Sequence, residues 1–201
     1  MSRKFLNIGG GTKDIPVPAF FDNWEHHLLD IKQMDGKEKP DFLMDSRTLK
    51  FNTDLKGIYD AVYCSHNLEH YYRGDLSSVL AGIYHVLQPT GFAFIRVPDV
   101  VGAIQDMVEK GLEFHDLVRP EHPQLHYVQY HDIIYGRDSF KDINPTQSHR
   151  QAFTINSLCT GLKYAGFKYF YSSERKEDME FIVIAFINPP LEEYKYMLSL
   201  D

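Results

Sequence analysis

Phe5-Leu6-Asn7-Ile8-Gly9-Gly10-Gly11-Thr12 is the stretch whose reading decides the fold. A short apolar run breaks into three glycines near the start of the chain. Further on, a second apolar run, His27-Leu28-Leu29-Asp30-Ile31, carries a carboxylate near its end. A strand, a glycine turn and a second strand tipped with an acid is the arrangement by which an α/β sheet holds a ribose-bearing ligand. Glycine lets the backbone turn sharply and approach a ligand with no Cβ between them. The carboxylate accepts hydrogen bonds from ribose hydroxyls. The turn is not the full dinucleotide fingerprint, because Asp14 stands where the third glycine belongs, and the same letters also describe an ordinary strand-end turn.

Outward from this stretch, strand and helix patterns alternate. Strands are predicted over residues 4–8, 27–31, 41–44, 61–64, 91–97, 168–172 and 180–187, several of them continuous β-branched or aromatic runs, as in strands covered on both faces. Leu76, Val79, Leu80, Ile83, Val86 and Leu87 fall at helical spacing and predict a helix over 76–87, ended by Pro89 before Gly91 opens the next strand. Further helices are predicted over 101–110 and 156–165, the latter with Thr154 as N-cap and Gly166 as its stop. Pro16 and Pro18 forbid a long helix directly after the glycines, so the first crossover is expected to be irregular, with a short helical piece near 18–23. The charged turn Ser173-Glu174-Arg175-Lys176-Glu177-Asp178 leaves no room for a helix, which makes the last two strands an antiparallel hairpin. Residues 111–151 are rich in His, Tyr, Asp and Pro and lack periodicity. Such a stretch inside a compact domain reads as a lid or binding loop, with a solvated excursion of no role as the rival.

Composition narrows the class. A chain of 201 residues, 43% hydrophobic and 24% charged, suits one globular domain with a full core. With 21 Lys and Arg against 28 Asp and Glu, the net charge of -7 argues against a nucleic acid as the main partner. The longest apolar run, Phe181 to Ile187, is too short to cross a bilayer, so no membrane partner is expected. Cys64 and Cys159 form no spaced framework and read as free thiols in a reducing compartment. The chain enters a strand almost at once, with no visible leader, and a cytoplasmic location is the expectation. No oligomeric state is legible.

Several segments carry a resemblance. Asp60-Ala61-Val62-Tyr63-Cys64-Ser65-His66-Asn67-Leu68-Glu69-His70 resembles the fourth-strand motif of the S-adenosylmethionine-dependent methyltransferases with the Rossmann-like fold, of the type 11 kind: an Asp, a short strand, a Ser or similar residue, then "LEH". Val86-Leu87-Gln88-Pro89-Thr90-Gly91, leading into Phe92 to Asp99, is similar to that family's "VLKPGG" turn and fifth strand. Leu162-Lys163-Tyr164-Ala165-Gly166-Phe167 is similar to its "L..AGF" element, and the opening "LNIGGG" and Asp30 fall where its first motif and ribose acid belong. The resemblance covers nearly the whole chain. It implies a three-layer α/β fold: a seven-stranded, mostly parallel sheet of order 3-2-1-4-5-7-6, with strand 7 antiparallel, in a single domain over residues 1–201. Residues 111–151 would then be the lid over the acceptor.

The resemblance also implies a cofactor, S-adenosylmethionine, and residues to hold it. Gly9, Gly10 and Gly11 would pass beside its methionine portion, where larger residues would block it. Asp30, with Ile31 beside it, would bind the ribose. Asp45 and Ser46, with Arg47, would bracket adenine, against the plainer reading of Asp45 as a turn residue. Ser65 and His66 would line the methyl-bearing end, while Glu69 and His70 are read as structural. Three departures stand out: Asn7 replaces the family's usual acid, which weakens one contact to the cofactor's amino end; the third turn glycine is missing; and Thr90 replaces the first glycine of "PGG".

Histidines supply candidate bases. Methyl transfer to an alcohol needs the hydroxyl proton removed, and imidazole titrates in the right range. Of His115, His122, His126, His131 and His149, the pairs His131-Asp132 and His149-Arg150 read as best placed. His66-Asn67-Leu68-Glu69-His70 formally fits the H-x-x-E-H pattern of a zinc peptidase, but the fourth-strand motif accounts for the same letters, and no metal is expected. The resulting expectation is methyl transfer to a small hydroxylated molecule such as a sugar or glycan unit. Two alternatives stay open. One is a catalytically silent relative that binds the cofactor or a protein partner. The other is a nicotinamide-dependent oxidoreductase, for which the third glycine and a Tyr-x-x-x-Lys pair are lacking.

Overall fold

The structure is a computed structural model and describes residues 2–122, 125–137, 148–175 and 177–200. Among these, the strands form one seven-stranded sheet of order β3-β2-β1-β4-β5-β7-β6: β1 Lys4–Ile8, β2 Glu25–Asp30, β3 Phe42–Leu43, β4 Tyr59–Ser65, β5 Leu87–Pro98, β6 Tyr169–Arg175 and β7 Glu180–Phe186. The pairs β1–β2, β1–β4, β2–β3 and β4–β5 are parallel, and β7 runs antiparallel to both β5 and β6. Order, direction and the terminal hairpin are those the sequence predicts.

Alternate side chains of a strand point to opposite faces, and here both faces are apolar. Leu6 and Ile8 of β1, Val62 and Cys64 of β4, Ala93, Ile95 and Val97 of β5, and Phe181, Val183 and Ala185 of β7 join one core. Helices α1 (Arg73–Val86) and α4 (Ile155–Ala165) complete it with Val79, Leu80, Ile83, Val86, Leu158 and Leu162. Phe5, Ala61, Tyr63, Phe92, Phe94, Ile184 and Phe186 turn to the other face. That face is covered by Phe21 and by Tyr194 of α5 (Glu192–Leu198). Thr154 and Gly166 cap α4 as expected, Gly166 at φ +117.

The first crossover contains one 3-10 turn, Ala19–Phe21, as Pro16 and Pro18 require. Aromatic side chains cover the sheet where a crossover helix would lie. Phe21 stacks on Phe5 at 4.2 Å between ring centroids, Phe5 stacks on His26 at 4.5 Å, and Trp24 meets Phe92 edge-on. One point differs from the sequence reading. β5 starts at Leu87, directly out of α1, so Pro89 lies within the strand; a register shift in β4 between Tyr59 and Ala61 accommodates it. Gly91 sits at that irregularity, where a Cβ would stand 2.9 Å from the Asp60 carbonyl oxygen. Thr90 has no positive φ, so the family's glycine is not required there. Cys64 is buried, Cys159 half-buried, and neither is in a disulfide.

The segment expected to be an irregular lid over residues 111–151 falls partly outside the described residues, at 123–124 and 138–147. Its described portions are more ordered than the missing periodicity suggests. They contain a bridge between Leu117 and Gln129 and the short helix α3 (Tyr130–Tyr135), capped reciprocally by Gln129 and Asp132. Val118 and Tyr130 form a small core with Ala103 and Met107 of α2 (Val100–Lys110) and with Met179.

Asp106 of α2 pins this segment. It accepts hydrogen bonds from the Arg119 guanidinium at 2.8 Å and from the buried Tyr130 hydroxyl, and Lys110 lies 3.1 Å away. Burial works against its charge, but the bonds from Arg119, Tyr130 and Lys110 outweigh it and hold the carboxyl well below its ordinary range. A depressed pKa contributes stability that is present above the unfolded value of about 3.9 and is lost as pH falls toward the folded one. Asp106→Asn is expected to cost about 2 kcal/mol and to speed amide hydrogen exchange at Val118 and across α3. Wild-type protection should drop on acidification below about pH 4, with no such step in the variant.

Candidate functional site

Because β1, β2, β3 and β4 run parallel, their carboxyl ends meet on one edge of the sheet, where ligands of such folds bind. A cleft of about 880 Å³ opens there. Gly9 and Gly11 line it from β1, Asp30 to Asp35 from β2, Asp45 to Arg47 from β3, and His66, Asn67, His70, Tyr71 and Tyr72 from beyond β4.

The glycine turn is shaped by its own neighbours. Gly9 and Gly11 adopt φ +73 and +68, and the Gly9 N–H continues the sheet by donating to the Leu29 carbonyl at 2.8 Å. A Cβ on Gly9 would lie 2.0 Å from Asn67 Nδ2, one on Gly10 2.3 Å from Asn7 Nδ2, and one on Gly11 2.9 Å from Met34 Sδ. The room left by the missing side chains is therefore taken up by Asn67, Asn7 and Met34. Asn7 is buried; its Nδ2 donates to His26 Nε2 at 3.4 Å, and its Oδ1 has no partner among the described residues. Burial first, and then the Lys13 charge, push His26 down to about 4, so that ring is neutral and can accept.

Asp30 faces the cleft with its carboxylate fixed from behind. Oδ2 accepts from the Gly11 N–H at 3.0 Å and Oδ1 from the Lys32 N–H at 3.2 Å. Each oxygen keeps a lone pair for a further donor. Ile31 is exposed beside it on the same wall. Asp45 caps the 3-10 helix Ser46–Phe51 and is gripped by Arg47, which donates to it from its backbone N–H, Nε and Nη2. Those bonds hold the Asp45 carboxyl below its usual range. Arg47 also reaches Asp75 at 3.1 Å. Ser46 is buried, and its hydroxyl meets that of Tyr71 at 2.6 Å.

Ser65 ends β4 and does not line this cleft. His66 follows it at φ +47, a strained backbone for a residue with a side chain. Its Nε2 bonds Glu180 at 2.9 Å, and its Nδ1 stands 3.6 Å from Glu69. Glu180 is buried and is also held by Arg96 at 2.6 Å. Burial opposes charge on His66, but the bond to Glu180 and the nearby Glu69 carboxylate prevail and raise the imidazole to about 9.

The two candidate bases are separated. His131, on α3, packs near His115 and Tyr135 and does not line the cleft. His149 lies directly behind the wall: its neighbour Arg150 lines the cleft, and its ring meets His70 edge-on at 5.2 Å. Its Nδ1–H donates to the Ile133 carbonyl at 3.0 Å, and burial lowers its pKa, leaving a neutral ring with Nε2 turned to Glu69. Asn67 and Tyr71 line the cleft without any local sequence signal, whereas Arg150 belongs to the His149-Arg150 pair that the sequence singles out. The H-x-x-E-H letters were the available signal for what surrounds Glu69, but the position of His149 against them was not.

No family model and no curated protein matches the chain. Solved structures do. A SAM-dependent methyltransferase from Archaeoglobus fulgidus superposes with a TM-score of 0.56 at 15% identity, over 92% of this chain and 86% of that one. The Burkholderia thailandensis 1,6-didemethyltoxoflavin-N1-methyltransferase, solved with 1,6-didemethyltoxoflavin and S-adenosylhomocysteine, matches with a TM-score of 0.54 at 14% identity, over 92% and 71%. Human N-acetylserotonin methyltransferase in complex with SAM matches with a TM-score of 0.54 at 18% identity, over 90% of this chain and 46% of that one. At such identities the likeness is one of fold, and these methyltransferases differ in substrate. In sheet order and in the direction of β7, this chain has the Rossmann-like fold of the S-adenosylmethionine-dependent methyltransferases.

Proposed function

We propose that this protein is an S-adenosylmethionine-dependent methyltransferase acting on a small hydroxylated acceptor such as a sugar or glycan unit. The observation that carries the reading is the meeting, in one cleft, of the Gly9–Gly11 turn, the outward carboxylate of Asp30 and the Asp45–Arg47 pair. The cleft's volume of about 880 Å³ falls in the range of small-molecule and cofactor sites. Asp30 is the ribose acceptor in this reading, Ile31 its apolar neighbour, and Asp45 with Ser46 the adenine end. Because Asp45 is already paired with Arg47, the adenine contact falls to its backbone or to a shared bond. Of Ser65 and His66, it is His66, which lines the cleft, that belongs to the methyl-bearing end. The bound cofactor would supply a sulfonium methyl as electrophile; the protein's part is to position the acceptor, exclude water and accept a proton.

The acceptor side is carried by the segment over residues 111–151, of which Arg150 lines the cleft among the described residues. Its polar and aromatic character suits a hydroxylated ligand. A cytoplasmic location belongs to the same reading, and no helix among the described residues is long and apolar enough to cross a membrane. A catalytically silent protein that binds the same nucleoside is the second reading. It is favoured by Asn7 in place of an acid and by Asn67 packed over Gly9.

A thermal shift experiment tests the cofactor. S-adenosylhomocysteine is expected to raise the melting temperature, by the equivalent of about 2.7 kcal/mol at a hundredfold excess over its dissociation constant, and NAD is expected to leave it unchanged. Asp30→Ala should remove most of the shift. Absence of a shift with both sulfur nucleosides would discard the assignment. Turnover separates the two readings: S-adenosylhomocysteine release with a panel of hydroxylated acceptors marks the enzyme, and binding without release marks the silent protein. Of the candidate bases, His149→Ala should lower turnover at least ~10² fold if it serves as one, and His131→Ala far less; a larger loss in His131→Ala would reverse that ranking.

A further inference from the structure

Glu69 has no role in the reading above, yet its position is unusual. It is 1% exposed, and among the described residues neither oxygen of its carboxylate has a hydrogen-bond partner. Burying a carboxylate in that state is strongly unfavourable unless something cationic compensates it, and the nearby His66 imidazolium is already bonded through Nε2 to Glu180 and stops 3.6 Å short of it. Its Oε1 is ringed by imidazole nitrogens: His66 Nδ1 at 3.6 Å, His70 Nε2 at 4.0 Å and His149 Nε2 at 4.0 Å.

The outer nitrogens of two of these rings fix what the inner ones carry. His70 Nδ1 faces the Ser148 carbonyl at 3.3 Å, and His149 Nδ1 faces the Ile133 carbonyl at 3.0 Å. A carbonyl oxygen accepts only, so both Nδ1 atoms bear the hydrogen, and in a neutral ring both Nε2 lone pairs point at Glu69. Lone pairs facing a carboxylate across 4.0 Å make no hydrogen bond with it. Each ring is oriented by a backbone carbonyl in the way metal-binding imidazoles are. The three ligand atoms lie within 4.8 Å of one another. A tetrahedral cation with bonds of about 2.0 Å holds its ligands about 3.3 Å apart, so closing the site needs only small side-chain shifts.

The backbone holds the two ligand-bearing segments together. The Arg150 N–H donates to the Glu69 carbonyl at 2.8 Å, and Gln151 Nε2 donates to the Leu68 and Tyr71 carbonyls at 3.1 and 3.0 Å. The 3-10 turn Leu68–His70 is thereby clamped to the strap that carries His149.

We propose that Glu69, His70 and His149 bind one divalent transition cation of the zinc class at the wall of the cleft. Two imidazoles and a carboxylate favour zinc, iron or nickel over magnesium and calcium, which take all-oxygen sets. Three protein ligands leave a coordination position open. His70, one of the three ligands, lines the cleft, which puts the site at its wall. Resting on the methyltransferase reading, the open position suits a hydroxyl oxygen of the acceptor, and His149 is then a metal ligand rather than the base.

The test uses the full chain stripped with a chelator and titrated with Zn²⁺ alone against a chromophoric competitor. One equivalent should bind with micromolar or tighter affinity, undisturbed by millimolar Mg²⁺. Co²⁺ in its place should give the visible absorption of a four- or five-coordinate site. Glu69→Gln and His149→Ala should each weaken Zn²⁺ at least ~10-fold and abolish the Co²⁺ spectrum. His70→Asn, at a more exposed position, is the variant of choice where buried Glu69 compromises folding, and circular dichroism checks each. No saturable Zn²⁺ binding overturns the proposal, and so does affinity unchanged in these variants, which would locate the metal on other histidines. The S-adenosylhomocysteine shift should persist in His149→Ala. Zn²⁺ binding without any such shift in the wild type would sink the methyltransferase reading and leave the cation site standing.

Discussion

The parallel hydrogen bonding of Lys4–Ile8 to a strand on each side is the constraint on which the rest depends. It aligns the ends of β1, β2 and β4 on one edge, so the Gly9 turn, Asp30 and His66 arrive together although they are distant in the chain. The pairing extends past the strand itself: the Gly9 N–H still reaches the Leu29 carbonyl, which fixes the turn relative to the tip of β2. Asp30 then closes the arrangement by accepting from Gly11. The cleft is thus a consequence of sheet geometry, held by backbone groups with few alternatives.

The sheet tolerates a first crossover with almost no helix because its aromatic residues do a helix's covering work. Phe21, Phe5 and His26 stack in sequence, and Trp24 and Tyr194 close the outer side. Flat rings bury large areas from short segments, which lets a proline-containing loop protect a strand face. This leaves the glycine turn without a helix N-terminus behind it, so its shape comes from Asn7, Asn67 and Met34 packed against its backbone.

Two buried carboxylates at the same edge are treated differently. Glu180 is met by Arg96, His66 and Arg175, and its charge is accounted for. Glu69 lies a few ångströms from His66 with imidazoles around it and, among the described residues, no hydrogen bond to either oxygen. The contrast separates a carboxylate whose bonds are all made from one that, in our proposal, a cation completes.

The sequence by itself determined the architecture. The alternating apolar runs, the helix over residues 76–87, the caps Thr154 and Gly166 and the charged turn before β7 are local patterns, and local patterns follow from backbone periodicity and from glycine and proline. It also marked the glycine turn and Asp30, because a strand-end acid and a side-chain-free turn are legible in order along the chain. Short helices escaped it: α3 is capped through Gln129, an atypical capping residue, and α5 buries one residue, Tyr194, too few to show a period. What only the tertiary structure decided is where polar side chains spend their bonds. Asp45 turns to Arg47, Ser46 to Tyr71, Asn67 over Gly9 and His149 to Glu69. The pairings that cross between segments are set by how strands and loops are brought together in space, and no spacing along the chain encodes them.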